Sequence, residues 1–288
     1  MKIIICLLLL LSFSIAHAIS FGVVDIDELD DMLLVYSTNG QVYEARKELL
    51  NDLKFALSEK IIIEAKLTDT ELVGEIFGTR DEILSLQLSS QKASHGHFYK
   101  TVEIAPIKNT YVTDVDFDQD AIDLFKTMRS NSNRRSQCYN RAHVWAYEMN
   151  KKTYQDRAIQ LGKQWLFFTR KYIREYRYKW WFHVTPYLTV QKLPIMMDRL
   201  FSRTPQEERL WTNMFIRPAT ACPEVYKYTD YSEHQEESLC YLIKSSLFYW
   251  QPYQVQNAER YNQERKEWIS SEVRRAYADA FGFGFDDF

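Results

Sequence analysis

Three side chains of this sequence have the types and the chain order that acyl transfer requires: Cys138, His183 and Asp198. Cys138 follows the polar run Asn131-Ser132-Asn133-Arg134-Arg135 and opens the stretch Cys138-Tyr139-Asn140-Arg141-Ala142-His143, where a helix is predicted to start. At a helix start the unpaired backbone N–H groups and the helix dipole favour a thiolate over a thiol, so a cysteine there is a candidate nucleophile. Such a nucleophile needs a base to ionise it and an acid to protonate the leaving group. Imidazole does both near neutral pH, and a carboxylate fixes its tautomer. His183 falls inside a predicted strand over 180–190 and Asp198 ends another over 194–198, an order that lets neighbouring strands present the two side by side. The plain alternatives are a Cys138 that is a small buried hydrophobe and a His183 that is a satisfied core histidine.

The remaining histidines compete poorly. His143 lies five residues after Cys138, about 140° around the same helix, so it faces elsewhere. His95 and His97 form a His-x-His pair in a Ser/Lys/Gly loop without an obvious further ligand, which reads as a solvated loop rather than a metal site. His234 sits between Glu233 and Glu236 and reads as a surface residue. The spacing calls for no metal and no organic cofactor.

The chain has four cysteines. Cys6 lies in an N-terminal stretch, Met1-Lys2 followed by Ile3 to Leu11 and ending Ala16-His17-Ala18, that reads as a secretory signal (residues 1–18) cleaved between Ala18 and Ile19. Cys6 is too early and wrongly flanked to accept a lipid at the cleavage point. An exported chain usually pairs its thiols, so the expectation is a Cys222–Cys240 disulfide with Cys138 left free. No later apolar run is long enough to span a bilayer. These features predict a periplasmic or extracellular protein with no permanent membrane anchor.

The elements that must position the three residues fall into two units, 19–116 and 117–288. The first reads as mixed: helical spacing over 26–34 and 44–57, strands over 61–67 and 72–77, and extended segments over 98–104 and 109–115. The second opens with an acidic helix start after Asp116, with Ile122, Leu124, Phe125 and Met128 as its apolar stripe. In the Cys138 helix, predicted to reach about Met149, Ala142, Trp145 and Met149 share the face of Cys138. A buried strand over 164–169, the two strands carrying His183 and Asp198, a helix over 207–215 and a largely helical C-terminal third, with one long helix over 258–281, complete the reading.

The formal net charge of −3 conceals an asymmetry. Residues 19–120 carry 20 acidic and 9 basic side chains, residues 131–205 carry 15 basic and 4 acidic. A polyanion partner, two solvated faces, or two parts of one chain that face each other would all fit. An exported chain rarely meets nucleic acid, and intramolecular complementarity is the favoured reading.

A helix with a thiol followed by strands with a histidine and a carboxylate is the chain order of papain-like and transglutaminase-like catalytic units. More specifically, Cys138-Tyr139-Asn140-Arg141-Ala142-His143, Trp181-Phe182-His183-Val184 and Ile195-Met196-Met197-Asp198-Arg199-Leu200-Phe201 resemble the three successive motifs of the bacterial protein-glutaminases, over roughly residues 118–216 and including Trp211. The family commonly has Asp-Pro where this chain has Asp198-Arg199. The aromatic and basic stretch between Gln164 and Lys179 and the C-terminal third match no family motif.

The resemblance implies an α+β fold with a transglutaminase-like core: the Cys at a helix N-terminus packed on an antiparallel sheet that carries His and Asp, preceded by a smaller α+β unit. It implies Cys138 as nucleophile, His183 as acid and base and Asp198 as its orienter, acting on exposed glutamine of protein or peptide substrates in a monomeric enzyme. It also implies that residues 19–116 are an inhibitory pro-segment. A transglutaminase, a cysteine protease or a non-enzymatic exported interaction protein of the same fold class remain alternatives.

Overall fold

The computed structural model describes residues 18–68, 80–93, 112–133, 136–261 and 264–282. Residues 1–17 of the leader expected over 1–18, the His-x-His pair, the strands expected over 72–77 and 98–104 and the tail after Gly282 lie outside these residues.

Residues 18–68 and 80–93 form a closed five-stranded barrel with one α-helix among the described residues. The strands are β1 (Ala18–Glu28), β2 (Leu33–Ser37), β3 (Val42–Ala45), β4 (Ile61–Leu67) and β5 (Glu82–Lys92), ordered β1-β2-β3-β5-β4 around the barrel, with helix α1 (Leu50–Glu59) between β3 and β4. Phe21, Leu33, Val35, Tyr43, Leu53, Ile63 and Ile83 fill its interior. The helix expected over 26–34 is therefore corrected to the end of β1, a turn and the start of β2; that expected over 44–57 starts only at Leu50. All five residues of β2 are buried. Leu33 and Val35 face the barrel core while Leu34 and Tyr36 join the core of the second unit, so β2 lacks the polar alternation by which a half-buried strand is recognised.

The second unit is built on a sheet ordered β12 (Gln206–Glu207), β11 (Leu193–Met196), β10 (Phe182–Val190), β9 (Gly162–Phe168) and β13 (Cys240–Ser246), with β6 (Asp114–Val115) running parallel to the end of β10. Helix α2 (Asp118–Lys126), helix α3 (Cys138–Asn150) and the small hairpin β7 (Thr153–Tyr154) and β8 (Arg157–Ala158) precede β9. Helix α4 (Arg170–Glu175) leads to β10, β11, β12 and helix α5 (Glu208–Thr212). Helix α6 (Tyr228–Glu233), β13, helix α7 (Pro252–Tyr261) and helix α8 (Ser270–Phe281) follow. The expected helical C-terminal third thus needs two corrections. It supplies strand β13, antiparallel to β9 with Cys240 opposite Phe168 and Ser246 opposite Gly162, and its long helix is two. Trp268 lies in the break, where its Nε1–H donates to Asn150 Oδ1 at 3.1 Å, a tertiary anchor that a continuous helix would not offer.

The fold is α+β, as the motifs implied. Its larger core is aromatic, with Trp145, Trp165, Trp211, Phe125, Phe167, Phe168 and Phe182 buried. Close packing reaches the backbone at Gly162, where an added Cβ would lie 2.2 Å from the Tyr187 ring. The Cys222–Cys240 disulfide is present and Cys138 is free, so the start of β13 is tied to the loop after α5.

Candidate active site

Cys138 is the first residue of α3, reached through an extended Gln137 at φ −71° and ψ 140°. Its side chain is half-buried, and three residues hold the turn it stands on. Asn140 Oδ1 accepts from Trp250 Nε1–H at 2.6 Å. The buried Arg141 guanidinium donates to the carbonyl and the hydroxyl of Ser136, bracing the approach to the helix. Asp279 Oδ2 accepts from Gln137 N–H at 2.9 Å and from the Asn140 amide at 2.7 Å.

His183 is the second residue of β10, and Asp198 lies two residues beyond the end of β11; both are 2 % exposed. His183 Nε2 and Asp198 Oδ2 are 2.7 Å apart. The same carboxylate oxygen accepts from Trp211 Nε1–H at 3.0 Å. Cys138 lies close enough to His183 to raise its pKa, and with Nε2 engaged by the carboxylate, Nδ1 is the nitrogen left for the thiol. The imidazole is walled by rings: Phe215 at 4.4 Å, Phe201 at 5.3 Å, Trp211 at 5.6 Å and Trp180, stacked, at 5.9 Å between centroids.

Burial alone would discharge that imidazole. The charge and hydrogen bond of Asp198, with the Cys138 side chain, outweigh burial and push the His183 pKa up to about 9. Burial likewise opposes the charge on Asp198, but His183, the Trp211 N–H and the Arg141 charge hold its carboxyl below its ordinary value. An imidazolium placed between a carboxylate and Cys138 favours the sulfur's thiolate form by its charge and carries the proton that a leaving amine needs.

The three residues singled out in sequence are thus brought together, and His143 is not among them. It is fully buried on another side of α3, with Nδ1 at 2.8 Å from Lys163 Nζ and its ring edge-on to Trp268. Burial first, then the Lys163 charge, drives its pKa well down. His234 is 44 % exposed in its side chain and pairs with Glu237 at 2.9 Å, the surface role expected of it. Asp279, Trp250 and Phe215 were not singled out by the sequence, and Asn140 and Arg141 were legible only as members of the cysteine motif. Asp279 and Trp250 lie over 100 residues from Cys138, and no local pattern marks them. The bonds of Arg141 to Ser136 were not legible there.

The barrel packs beside this site. Its β2–β3 turn pairs with the segment that leads into β10: Val42 N–H donates to Lys179 O at 2.7 Å, Trp181 N–H to Gly40 O at 3.0 Å and Trp181 Nε1–H to Ser37 O at 2.8 Å. Charge follows the same seam. Arg170 bridges Asp25 and Asp27, Arg177 meets Glu44 at 2.8 Å, and the buried Arg80 donates to Glu44 and to the carbonyls of Ile173 and Tyr178.

Comparison with known proteins agrees with the motif-bearing segment. Residues 118–215 match the model of a family described as glutaminase. No curated protein matches the sequence. Among solved structures, a crystal structure of pro-protein-glutaminase is similar at 15 % identity and a TM-score of 0.46, over 89 % of this chain and 90 % of that one. A mutant of pro-protein-glutaminase is similar at 16 % identity and a TM-score of 0.45, over 81 % and 84 %.

Proposed function

We propose that this chain, which belongs to the glutaminase family through residues 118–215, is an exported protein-glutamine deamidase that converts protein-bound glutamine to glutamate and ammonia. The observation that carries the proposal is the buried His183–Asp198 hydrogen bond beside Cys138, three residues that all fall inside the matched segment. The Cys138 sulfur attacks the side-chain carboxamide carbon, and His183 donates its proton to the nitrogen as the carbon–nitrogen bond breaks. Ammonia leaves and a thioester remains. His183, now neutral, takes a proton from water, whose oxygen attacks the thioester carbon; glutamate departs and the thiolate–imidazolium pair is restored. Asp198 keeps the ring oriented and favours its charged form in both half-reactions. Cys138 N–H, at the free end of the helix, is the first candidate donor to the tetrahedral oxyanion.

Export rests on the leader-like residues 1–18 and the Cys222–Cys240 disulfide. Among the described residues no helix is long and apolar enough to cross a membrane. Residues 19–116 act as an inhibitory pro-segment; the reading is supported by the arginine–carboxylate seam and by the barrel's hold on Trp181, two residues before His183.

The test is mass spectrometry of a glutamine-rich protein incubated with the chain. The expected result is the small mass increase of glutamine-to-glutamate conversion with matching ammonia release, and neither peptide cleavage nor crosslinking. Crosslinked products would make the chain a transglutaminase and shorter ones a protease. An unchanged protein in the presence of an alkylatable Cys138 would favour a non-enzymatic interaction role.

A further inference from the structure

Helix α3 starts without a cap of its own, because Gln137 makes no side-chain capping hydrogen bond. In a capping box, a glutamate or glutamine three positions into the helix reaches back to the N–H of the N-cap residue. Here that position is Asn140, whose oxygen is taken by Trp250. The missing acceptor arrives from α8: Asp279 Oδ2 receives both Gln137 N–H and the Asn140 amide. A carboxylate at this end of a helix is also favoured by the dipole. Further bonds make the hold two-sided. Asn133 N–H donates to Ala280 O at 2.7 Å, fixing the approach loop to the same turn of α8. Trp250 N–H donates to Gln254 Oε1 at 2.5 Å, and the Gln254 amide donates to Glu272 Oε1 at 2.8 Å, back on α8.

We infer that Asp279 is a positioning residue for Cys138, so that the C-terminal segment outside the family match completes the active site. Cys138 stands between the two residues that Asp279 holds, and its approach to His183 depends on where that turn is placed. The inference rests on Cys138 being the nucleophile. It assigns α8 a part in the chemistry that the matched residues 118–215 do not supply.

The test uses the full chain with Asp279→Ala, Asp279→Asn and Trp250→Phe, reading both deamidation kinetics and the pH dependence of Cys138 alkylation by iodoacetamide. A displacement of about 1 Å at a reacting group can cost roughly a hundredfold, so Asp279→Ala should lower kcat by about ten- to a hundredfold with little change in KM. Asp279→Asn, which keeps an acceptor oxygen, should recover most of that loss. Trp250→Phe keeps an aromatic ring but frees Asn140, and should lose activity in the same direction; it decides the matter if Asp279→Ala does not fold.

Alkylation separates geometry from charge. The charged and titratable groups around Cys138 are His183, Arg141, Tyr139 and Tyr178, with Asp279 acting on Tyr139 and Arg141. Losing the carboxylate's charge alone would favour the thiolate and move the Asp279→Ala profile to lower pH. Loosening the contact with His183 moves it to higher pH, and that is the expected result. A wild-type kcat and profile in Asp279→Ala, a shift to lower pH, or an Asp279→Asn protein as impaired as Asp279→Ala would each overturn the inference. Alkylation needs no glutamine substrate, so a chain without deamidase activity would refute the proposed function and leave the positioning role to be judged on its own.

Discussion

At the scale of single residues, the site is a buried imidazolium whose charge is maintained by one carboxylate, and the consequences follow from that. Cys138→Ala should fold and be inactive, since it removes a half-buried sulfur and little packing; His183→Ala should be inactive as well. Asp198→Asn should lose much activity by releasing the tautomer. Ammonia release by each purified variant checks these outcomes, and wild-type turnover in Cys138→Ala would refute the triad. The pH dependence has a definite sign. The His183 pKa is raised above its ordinary 6.5 to about 9, so the stabilisation that its charge contributes is fully present below pH 6.5 and is lost as pH rises through 9. It is on the order of 3 kcal/mol for a fully buried group. Asp198, held below its ordinary value, contributes above that value and its share fades as pH falls; the two describe one interaction, not a sum. The measured kcat/KM should therefore decline on the alkaline side near pH 9, and in Asp198→Asn that limb should move to lower pH. A limb that stays in place would show that Asp198 does not hold the proton on His183.

The elements that carry these residues are fixed to each other by bonds of several kinds. β10 lies between β9 and β11, so the His183 strand cannot shift without breaking two ladders. Asp198 lies past the end of β11 and is held by Trp211 from α5 rather than by the sheet. The edge strand β13 pairs with β9 and is tied at Cys240 to Cys222. A crosslink enclosing a loop of this size restrains the unfolded chain by about 3 kcal/mol. Replacing both cysteines with serine should lower the denaturant midpoint accordingly while leaving Cys138 alkylatable. Peptide mapping without reduction should recover residues 222 and 240 joined. Recovery of Cys138 in a disulfide would contradict both the pairing and the nucleophile.

For the whole molecule, the question is what the barrel does beside the site. It contributes Leu34, Tyr36 and Val42 to the larger core, its acidic residues meet Arg170 and Arg177 across the seam, and its own Arg80 donates across it to the carbonyls of Ile173 and Tyr178. Exposed pairs respond to salt, because a few tenths molar shortens the screening length to roughly 5–6 Å. Arg177 is exposed while Arg80 is 3 % exposed in its side chain, so salt should weaken part of the seam and leave the Arg80 contacts and the apolar ones. A protease site introduced within residues 94–111 separates covalent from noncovalent docking. The cut chain is expected to exceed the uncut chain in deamidase activity, and its advantage to grow with salt as the barrel dissociates. Equal activities across the salt series would make the barrel an ordinary companion domain.

The sequence by itself determined the features whose causes are short-ranged. A polar run before an apolar-periodic stretch placed Cys138 at a helix start, apolar and aromatic runs marked β9, β10 and β4, and the expectation of export, with three cysteines beyond the leader-like stretch, paired Cys222 with Cys240. Motif order put His183 and Asp198 in one site. Tertiary structure alone decided the rest. β2 and β13 are buried on both faces, which erases the alternation that reveals a strand. The break between α7 and α8 is held by Trp268 against Asn150 on a distant helix. Asp279 reaches Gln137 from 142 residues away, a contact that exists only after α8 has packed on α3. Backbone periodicity is a property of neighbours along the chain, whereas the acceptor that holds the Cys138 turn is set by which surfaces close on one another.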